Sequence, residues 1–163
     1  MTDKFDHGGL TCLSLVAALL VGCSAESAPA PTTDSQQVVE QAVHAITDSI
    51  AAAVDRKDVP RLADFMSDAQ YIGSGLLIPP GQFAALAGPG FTELASINMV
   101  WKSREVRVIT PRAAILTARS EITSRDRKGK AGLEHGLYTM VFAKSSAGSW
   151  RLVSLHKTSE VAP

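Results

Sequence analysis

Histidine is the side chain best suited to acid–base chemistry near neutral pH, and the four histidines of this chain are scattered along its length. Their spacing matches no metal-ligand motif, so we expect neither a metal site nor another cofactor. His156 could act as a general base, or the backbone could hold it structurally, because the sequence identifies no partner that would orient it. The sequence also contains no Gly-rich phosphate loop and no Gly-x-Ser-x-Gly motif.

The chain has two cysteines, Cys12 and Cys23, and both lie near its N-terminus. The residues after Cys23 therefore offer no thiol for a disulfide, a thiolate metal site or a cysteine nucleophile. Any chemistry in that part of the chain must come from histidines, carboxylates and hydroxyl groups.

An apolar run from Leu10 to Val21 ends directly at the second cysteine. The run is shorter than the roughly 20 residues that span a bilayer, and small residues follow it, which is typical of a secretory signal. Leu20-Val21-Gly22-Cys23 resembles a bacterial lipobox, which implies cleavage before Cys23 and attachment of lipid to it. Ser24 resembles the outer-membrane sorting pattern, so we expect an envelope lipoprotein that faces the periplasm. Asp3 and Asp6 depart from the positive charge usual before such a run, and an ordinary signal peptide is the alternative.

The composition after Cys23 predicts a tether followed by one domain. Residues 24–35 carry small and polar side chains and prolines, which favours an extended linker. We expect a signal peptide over residues 1–22, the lipidated cysteine and tether over 23–35, and a domain over 36–160. The 16 basic and 16 acidic residues are interspersed, so the charge pattern does not suggest nucleic acid as a partner.

The first part of the domain is predicted to be helical. Asp34 or Ser35 could cap a helix that runs to about Lys57. Asp58 with Pro60 in the following turn predicts a second, short helix. The apolar residues of the long helix recur at steps of three and four, and therefore form one stripe: Val39, Val43, Ile46, Ile50 and Val54. A third helix is expected from Pro79-Pro80-Gly81 to about Ala87, and Gly88-Pro89-Gly90 is expected to end it.

The second part of the domain alternates between apolar and polar residues with period two, as strands do. Short strands are expected near residues 69–73 and 76–78. Long strands are expected from Ile97 onward and over 113–124, 132–144 and 149–158. A change of parity across Lys102-Ser103-Arg104 predicts a β-bulge that bends the first long strand. Helices first and an antiparallel meander second indicate an α+β fold.

Several segments together resemble the nuclear transport factor 2-like superfamily. Arg56-Lys57-Asp58 with Leu62 to Tyr71 is similar to its short helix and first strand, and Gly81 opens a helix after them. Trp150 to Thr158 resembles the last strand of the SnoaL-like and DUF4440 branches. The resemblance, over residues 36–158, implies a cone-shaped half-barrel in which a curved antiparallel sheet wraps around the N-terminal helices. It also implies a pocket inside the cone and, often, a homodimer formed through the sheet.

The superfamily that the chain resembles includes ketosteroid isomerase. The residues at the aligned positions are not those that the isomerase reaction needs. That reaction needs a carboxylate base, a tyrosine and a protonated aspartic acid. The three positions fall at Gly73, near Ile50, and near Leu137 or Tyr138, so all three roles are vacant.

The resemblance places His156 facing the pocket or its rim, and it remains the candidate catalytic residue. Tyr71, Trp101 and Tyr138 could line an apolar pocket, or they could serve as core. The leading hypothesis is a membrane-tethered module that binds a small apolar ligand or a partner protein. The alternatives are an enzyme of the cyclase, dehydratase or hydrolase kind that uses His156, and a structural dimeric envelope protein.

Overall fold

A computed structural model describes residues 33–73 and 75–161 of the chain. The predicted signal peptide and Cys23 lie outside the described residues. The order of elements is three helices and two short strands, followed by four long strands: α1 Thr33–Asp55, α2 Val59–Phe65, β1 Gln70–Gly73, β2 Leu76–Ile78, α3 Phe83–Glu93, β3 Leu94–Thr110, β4 Ala113–Asp126, β5 Ala131–Lys144 and β6 Trp150–Val161.

The six strands form one curved sheet that does not close, in the order β2-β1-β6-β5-β4-β3. Neighbouring strands are antiparallel except for β1, which runs parallel to β6. The antiparallel pairing of β3 with β4 shifts register between Trp101 and Ser103, at the position where the change of parity predicts a bulge. The predicted α+β architecture, with N-terminal helices and a curved sheet, is confirmed.

The helix α1 packs its apolar stripe on the inner face of the sheet. Val39, Val43 and Ile50 are buried in one continuous core with Leu116 and Phe142. Burial of this stripe is the main force that joins helix and sheet.

Polar contacts then fix the position of α1 along β3. The indole Nε1 of Trp101 donates to the carbonyl oxygen of Thr47 at 3.2 Å. At the end of the helix, one carboxylate oxygen of Asp55 accepts from the backbone N–H of Met99 at 2.6 Å. The other accepts from the side-chain amide of Asn98 at 3.2 Å. The C-terminal turns of α1 are therefore held over the start of the long strands.

The helix α3 differs from the prediction, because it continues through Gly88-Pro89-Gly90 to Glu93. A proline inside a helix removes one backbone hydrogen bond. The continued helix brings Phe91 against the core, together with Phe83 at its start. Apolar contact made at a distance in sequence thus outweighs the local signal to stop, although no residue of α3 is itself fully buried.

Candidate ligand-binding site

An apolar cavity of about 300 Å³ lies between the three helices and the inner face of the sheet. The C-terminal half of α1 contributes Ile50 and Val54 to its wall, and α3 contributes Phe83, Leu86, Ala87 and Phe91. The strands supply the opposite wall, which is also largely apolar: Ile97, Met99, Ile122, Met140 and Leu155. The cone of this fold is therefore open inside rather than filled by side chains.

One ionic pair interrupts this apolar wall. The Nζ of Lys157 on β6 contacts the Oε1 of Glu134 on β5. The side chains are only 18% and 28% exposed, respectively. Among the described residues that line the cavity, Lys157 and Glu134 are the two with charged side chains. They compensate each other, so the polar part of the wall has no net charge.

The surroundings of the pair hold both groups in their ionised forms. Burial by itself would raise the pKa of Glu134, but its hydrogen bond with Lys157, the lysine charge and the hydroxyl of Ser159 together lower it. Burial would likewise lower the pKa of Lys157, but the interactions with Tyr138 and with the Glu134 carboxylate outweigh burial and raise it. Neither group is therefore close to exchanging a proton near neutral pH.

Two tyrosines flank the pair, and each lies over a glycine two positions away on the same strand face. A Cβ placed on Gly73 would meet the hydroxyl oxygen of Tyr71 at 2.7 Å, and one placed on Gly136 would meet Cε2 of Tyr138 at 2.5 Å. The absence of a side chain at each glycine is what allows the phenol ring to lie along its strand. Both rings line the cavity.

The two phenol hydroxyls differ in their partners. The hydroxyl of Tyr138 is in contact with the Oγ of Ser120 at 3.5 Å. The hydroxyl of Tyr71 has no hydrogen-bond partner in the described part of the chain. Burial raises the pKa of Tyr71 more than the charge of Lys157 lowers it, so this group stays a protonated phenol.

Trp101 does not line the cavity, although the sequence made it a candidate together with the tyrosines. Its ring packs edge-on against Tyr138, with centroids 5.3 Å apart and planes at 76°. It therefore supports the cavity wall from behind while its N–H holds α1.

His156, which the resemblance places facing the pocket or its rim, is not among the residues that line this cavity. The residue is exposed and borders a second depression with Ile72 and Leu77. Gly73, Leu76 and Lys157 line both this depression and the cavity. Successive side chains of a strand point to opposite faces. Because Leu155 points into the cone, Lys157 does so as well and His156 does not.

Lys157 and Glu134 were not predicted from the sequence as residues of the site. The signal for Lys157 was present, since it shares the parity of Leu155 in a predicted strand. No local signal could connect it with Glu134, because the two residues meet only when β5 pairs with β6.

The remaining histidines of the domain do not join this site. His135 is exposed, and His44 lies on α1 with its backbone carbonyl oxygen accepting from Arg104. Within residues 33–73 and 75–161, no group of three histidine, cysteine or carboxylate side chains is placed to hold a metal ion. No helix in the same ranges is long and apolar enough to cross a membrane.

A family model for the SnoaL-like domain matches residues 43–161, which include most of α1, the cavity and the whole sheet. The chain belongs to the SnoaL-like domain family. Assignment of this SnoaL-like chain to the DUF4440 branch stays a prediction. No curated protein sequence matches the chain.

Solved structures show the same fold at low sequence identity. A hexachlorocyclohexane dehydrochlorinase, LinA-type3 from Novosphingobium barchaimii LL02, is 12% identical, with a TM-score of 0.70 over 81% of this chain and 94% of its own. A proposed scytalone dehydratase from Novosphingobium aromaticivorans DSM 12444 is 14% identical, with a TM-score of 0.70 over 81% of this chain and 89% of its own. A proposed dehydratase of the NTF2-like family from Streptomyces avermitilis is 17% identical, with a TM-score of 0.66 over 78% of this chain and 99% of its own. At these identities the likeness concerns the fold alone.

Proposed function

We propose that this SnoaL-like domain binds a small, mainly apolar molecule inside its cone, at a bacterial membrane to which acylated Cys23 anchors it. The open, apolar cavity of about 300 Å³ supports the binding role. Its volume is at the lower end of the range for small-molecule sites, and such sites combine an apolar wall with a few polar groups. An unfilled cavity lowers stability, because the residues around it lose packing contacts. It therefore favours a binding role over a purely structural one.

The ionisation of the polar groups favours binding over acid–base catalysis. A general base or acid works best when its pKa lies near the operating pH. The pKa of Glu134 is lowered and those of Lys157 and Tyr71 are raised, each away from neutrality. His156, the histidine that the sequence offers as a general base, is not among the residues that line the cavity.

The binding role is tested by filling the cavity with a side chain of the protein itself. Ala87 of α3 lines the cavity, so Ala87→Trp should place an indole where the ligand would lie. N-phenyl-1-naphthylamine, an uncharged apolar dye whose fluorescence increases in apolar surroundings, serves as the probe. We expect the wild-type domain to bind the dye and the variant to bind it at least about tenfold more weakly, a loss of about 1.4 kcal/mol.

Ala85→Trp is the matched control for this experiment. Ala85 lies on the same helix but is exposed and does not line the cavity, so this variant should bind the dye as the wild type does. Thermal melts of both variants show whether the helix is intact. Equal dye binding by wild type and Ala87→Trp, or no binding by the wild type, would contradict the proposal.

The anchor is supported by the sequence Leu20-Val21-Gly22-Cys23 at the end of the apolar run. An acyl chain gains about 0.8 kcal/mol for each buried CH₂, and two or more chains hold a protein firmly on a membrane. We propose that the lipid is on Cys23, and that the protein faces the periplasm from the outer membrane because Ser24 follows the cysteine.

Membrane fractionation of two cysteine variants of the full chain tests the anchor. Cys23→Ala should move the protein from the membrane fraction to the soluble fraction. Cys12→Ala removes the other cysteine, which lies inside the apolar run, and should leave the protein in the membrane fraction. If Cys23→Ala remains there as well, the anchor proposal is wrong, whereas the binding role is unaffected.

A further inference from the structure

The polar groups of the cavity are gathered on one part of its wall rather than spread over it. Tyr71 lies on β1, Glu134 and Tyr138 on β5, and Lys157 on β6. Gly73, over which the Tyr71 hydroxyl lies, is opposite Lys157 in the parallel ladder of β1 and β6. The tyrosine hydroxyl and the lysine thus reach the cavity at neighbouring points, while the helices contribute apolar side chains to the facing wall.

The charges of this polar cluster are already balanced before any ligand enters. Lys157 is paired with Glu134, and its Nζ also lies over the ring of Tyr138, 5.8 Å from the ring centroid. A ligand carboxylate would add a negative charge without a counter-ion to a largely apolar cavity, which is costly. An uncharged ligand meets no such penalty.

Lys157 and Tyr71 offer hydrogen-bond donors to a ligand on this part of the wall. A lysine ammonium group has three N–H donors and no acceptor, and the pair with Glu134 occupies only part of them. The Tyr71 hydroxyl has no partner among the described residues and can donate as well. The ligand group that complements these two donors is an oxygen that accepts hydrogen bonds.

We infer that the cavity selects uncharged, apolar molecules that carry one acceptor oxygen, such as a carbonyl, which Lys157 and Tyr71 bind together. This inference rests on the binding role proposed above and specifies the class of ligand. Glu134 acts in it as a specificity residue, because its charge cancels that of Lys157 and so disfavours anions.

Competition with N-phenyl-1-naphthylamine tests the inference with three compounds of the same shape. α-Tetralone has a carbonyl, tetralin lacks it, and 1,2,3,4-tetrahydro-1-naphthoate has a carboxylate. Tetralin is more hydrophobic than α-tetralone, so the two affinities for one protein also differ for reasons unrelated to the hydrogen bond. We therefore compare the ratio of tetralone affinity to tetralin affinity between the wild type and each variant. A hydrogen bond to a charged donor is worth about tenfold or more in affinity.

The ratio should fall about tenfold in the double variant Lys157→Met, Glu134→Gln, which removes the ion pair without leaving a lone charge. It should fall severalfold in Tyr71→Phe. His156→Gln is the control, since His156 is next to Lys157 in sequence but does not line the cavity, and the ratio should not change. An equal ratio in all four proteins would overturn the inference and leave the binding role standing.

The role of the Glu134 charge in disfavouring anions is tested separately. Glu134→Gln leaves Lys157 as an unpaired cation in the wall, so the naphthoate should bind this variant at least about tenfold more tightly than it binds the wild type. If the naphthoate displaces the dye from the wild type more effectively than tetralone does, the inference is wrong. Absence of dye binding in the wild type would instead overturn the binding role, and this inference with it.

Discussion

His156 and Lys157 are adjacent in sequence, yet their side chains lie on opposite faces of β6. Side chains of a strand alternate between its two faces, so a difference of one position decides whether a group reaches the cavity or the solvent. His156 is the candidate general base in the sequence, but Lys157 is the residue that lines the cavity. The polar character of the cavity thus comes from the less conspicuous neighbour and its partner Glu134.

The Glu134–Lys157 pair should couple strongly in a double-mutant cycle. Glu134→Gln leaves a mostly buried lysine without its counter-ion, and should lower the free energy of unfolding by about 1–3 kcal/mol. Adding Lys157→Met to this variant should recover much of the loss, because the unpaired charge is then gone. Urea unfolding at pH 7 of the wild type, both single variants and the double variant measures the coupling, and additive losses would contradict it.

The same pair predicts how stability depends on pH. The pKa of Glu134 is lowered from its ordinary 4.5, so its contribution is present above that pH and is lost as pH falls through the lower, folded-state pKa. The pKa of Lys157 is raised from 10.5, so its contribution is present below that pH and is lost as pH rises through the higher, folded-state pKa. Relative to the double variant, the melting temperature of the wild type should therefore be constant near neutral pH and should fall at both extremes. A difference that is the same at pH 3 as at pH 7 would contradict the assignment for Glu134.

At the scale of elements, the attachment of α1 to β3 positions one part of the cavity wall. Ile50 and Val54 reach the cavity from the last turns of α1, and the Asp55 carboxylate joins the end of that helix to Asn98 and Met99. The strand to which α1 is attached shifts register between Trp101 and Ser103, and such a bulge bends a strand.

Removal of the Asp55 carboxylate should weaken this attachment. Asp55→Ala takes away two hydrogen bonds to β3, one of them from a backbone N–H, and should lower the free energy of unfolding by about 1.5 kcal/mol. Asp64→Ala is the control, since Asp64 only faces Arg61 at 3.8 Å with both side chains largely exposed. It should cost about 0.5 kcal/mol or less. Equal losses in the two variants, measured by urea unfolding, would show that the attachment is not important for stability.

At the scale of the whole molecule, one continuous core joins helices and sheet. Its buried members extend from Val39 on α1 to Leu155 on β6. The homodimer that the family resemblance implies stays a prediction.

A fragment that begins at Thr33 should fold on its own, because the described residues after that position already form one continuous core. We expect one cooperative urea transition, with the same midpoint by circular dichroism and by tryptophan fluorescence, since the buried apolar residues of the described ranges form a single cluster. Dye binding by the fragment should equal that of the full chain. Two separate transitions, or a fragment that remains unfolded, would contradict this prediction.

The sequence by itself determined the local elements of this protein. The stripe from Val39 to Val54 predicted α1, and alternation predicted the strands and the bulge after Trp101. These features depend on periodicity within a few residues, which the sequence states directly. The order of elements, together with the resemblance, was enough for the α+β cone.

Only the tertiary structure decided which side chains line the cavity. It paired β1 in parallel with β6, extended α3 past Pro89, and brought Glu134 on β5 to Lys157 on β6. Each of these depends on the packing or pairing of segments that are distant in sequence, for which no local periodicity exists. The cavity and its neutral polar cluster are consequences of that assembly, and they direct the functional proposal to Lys157 rather than His156.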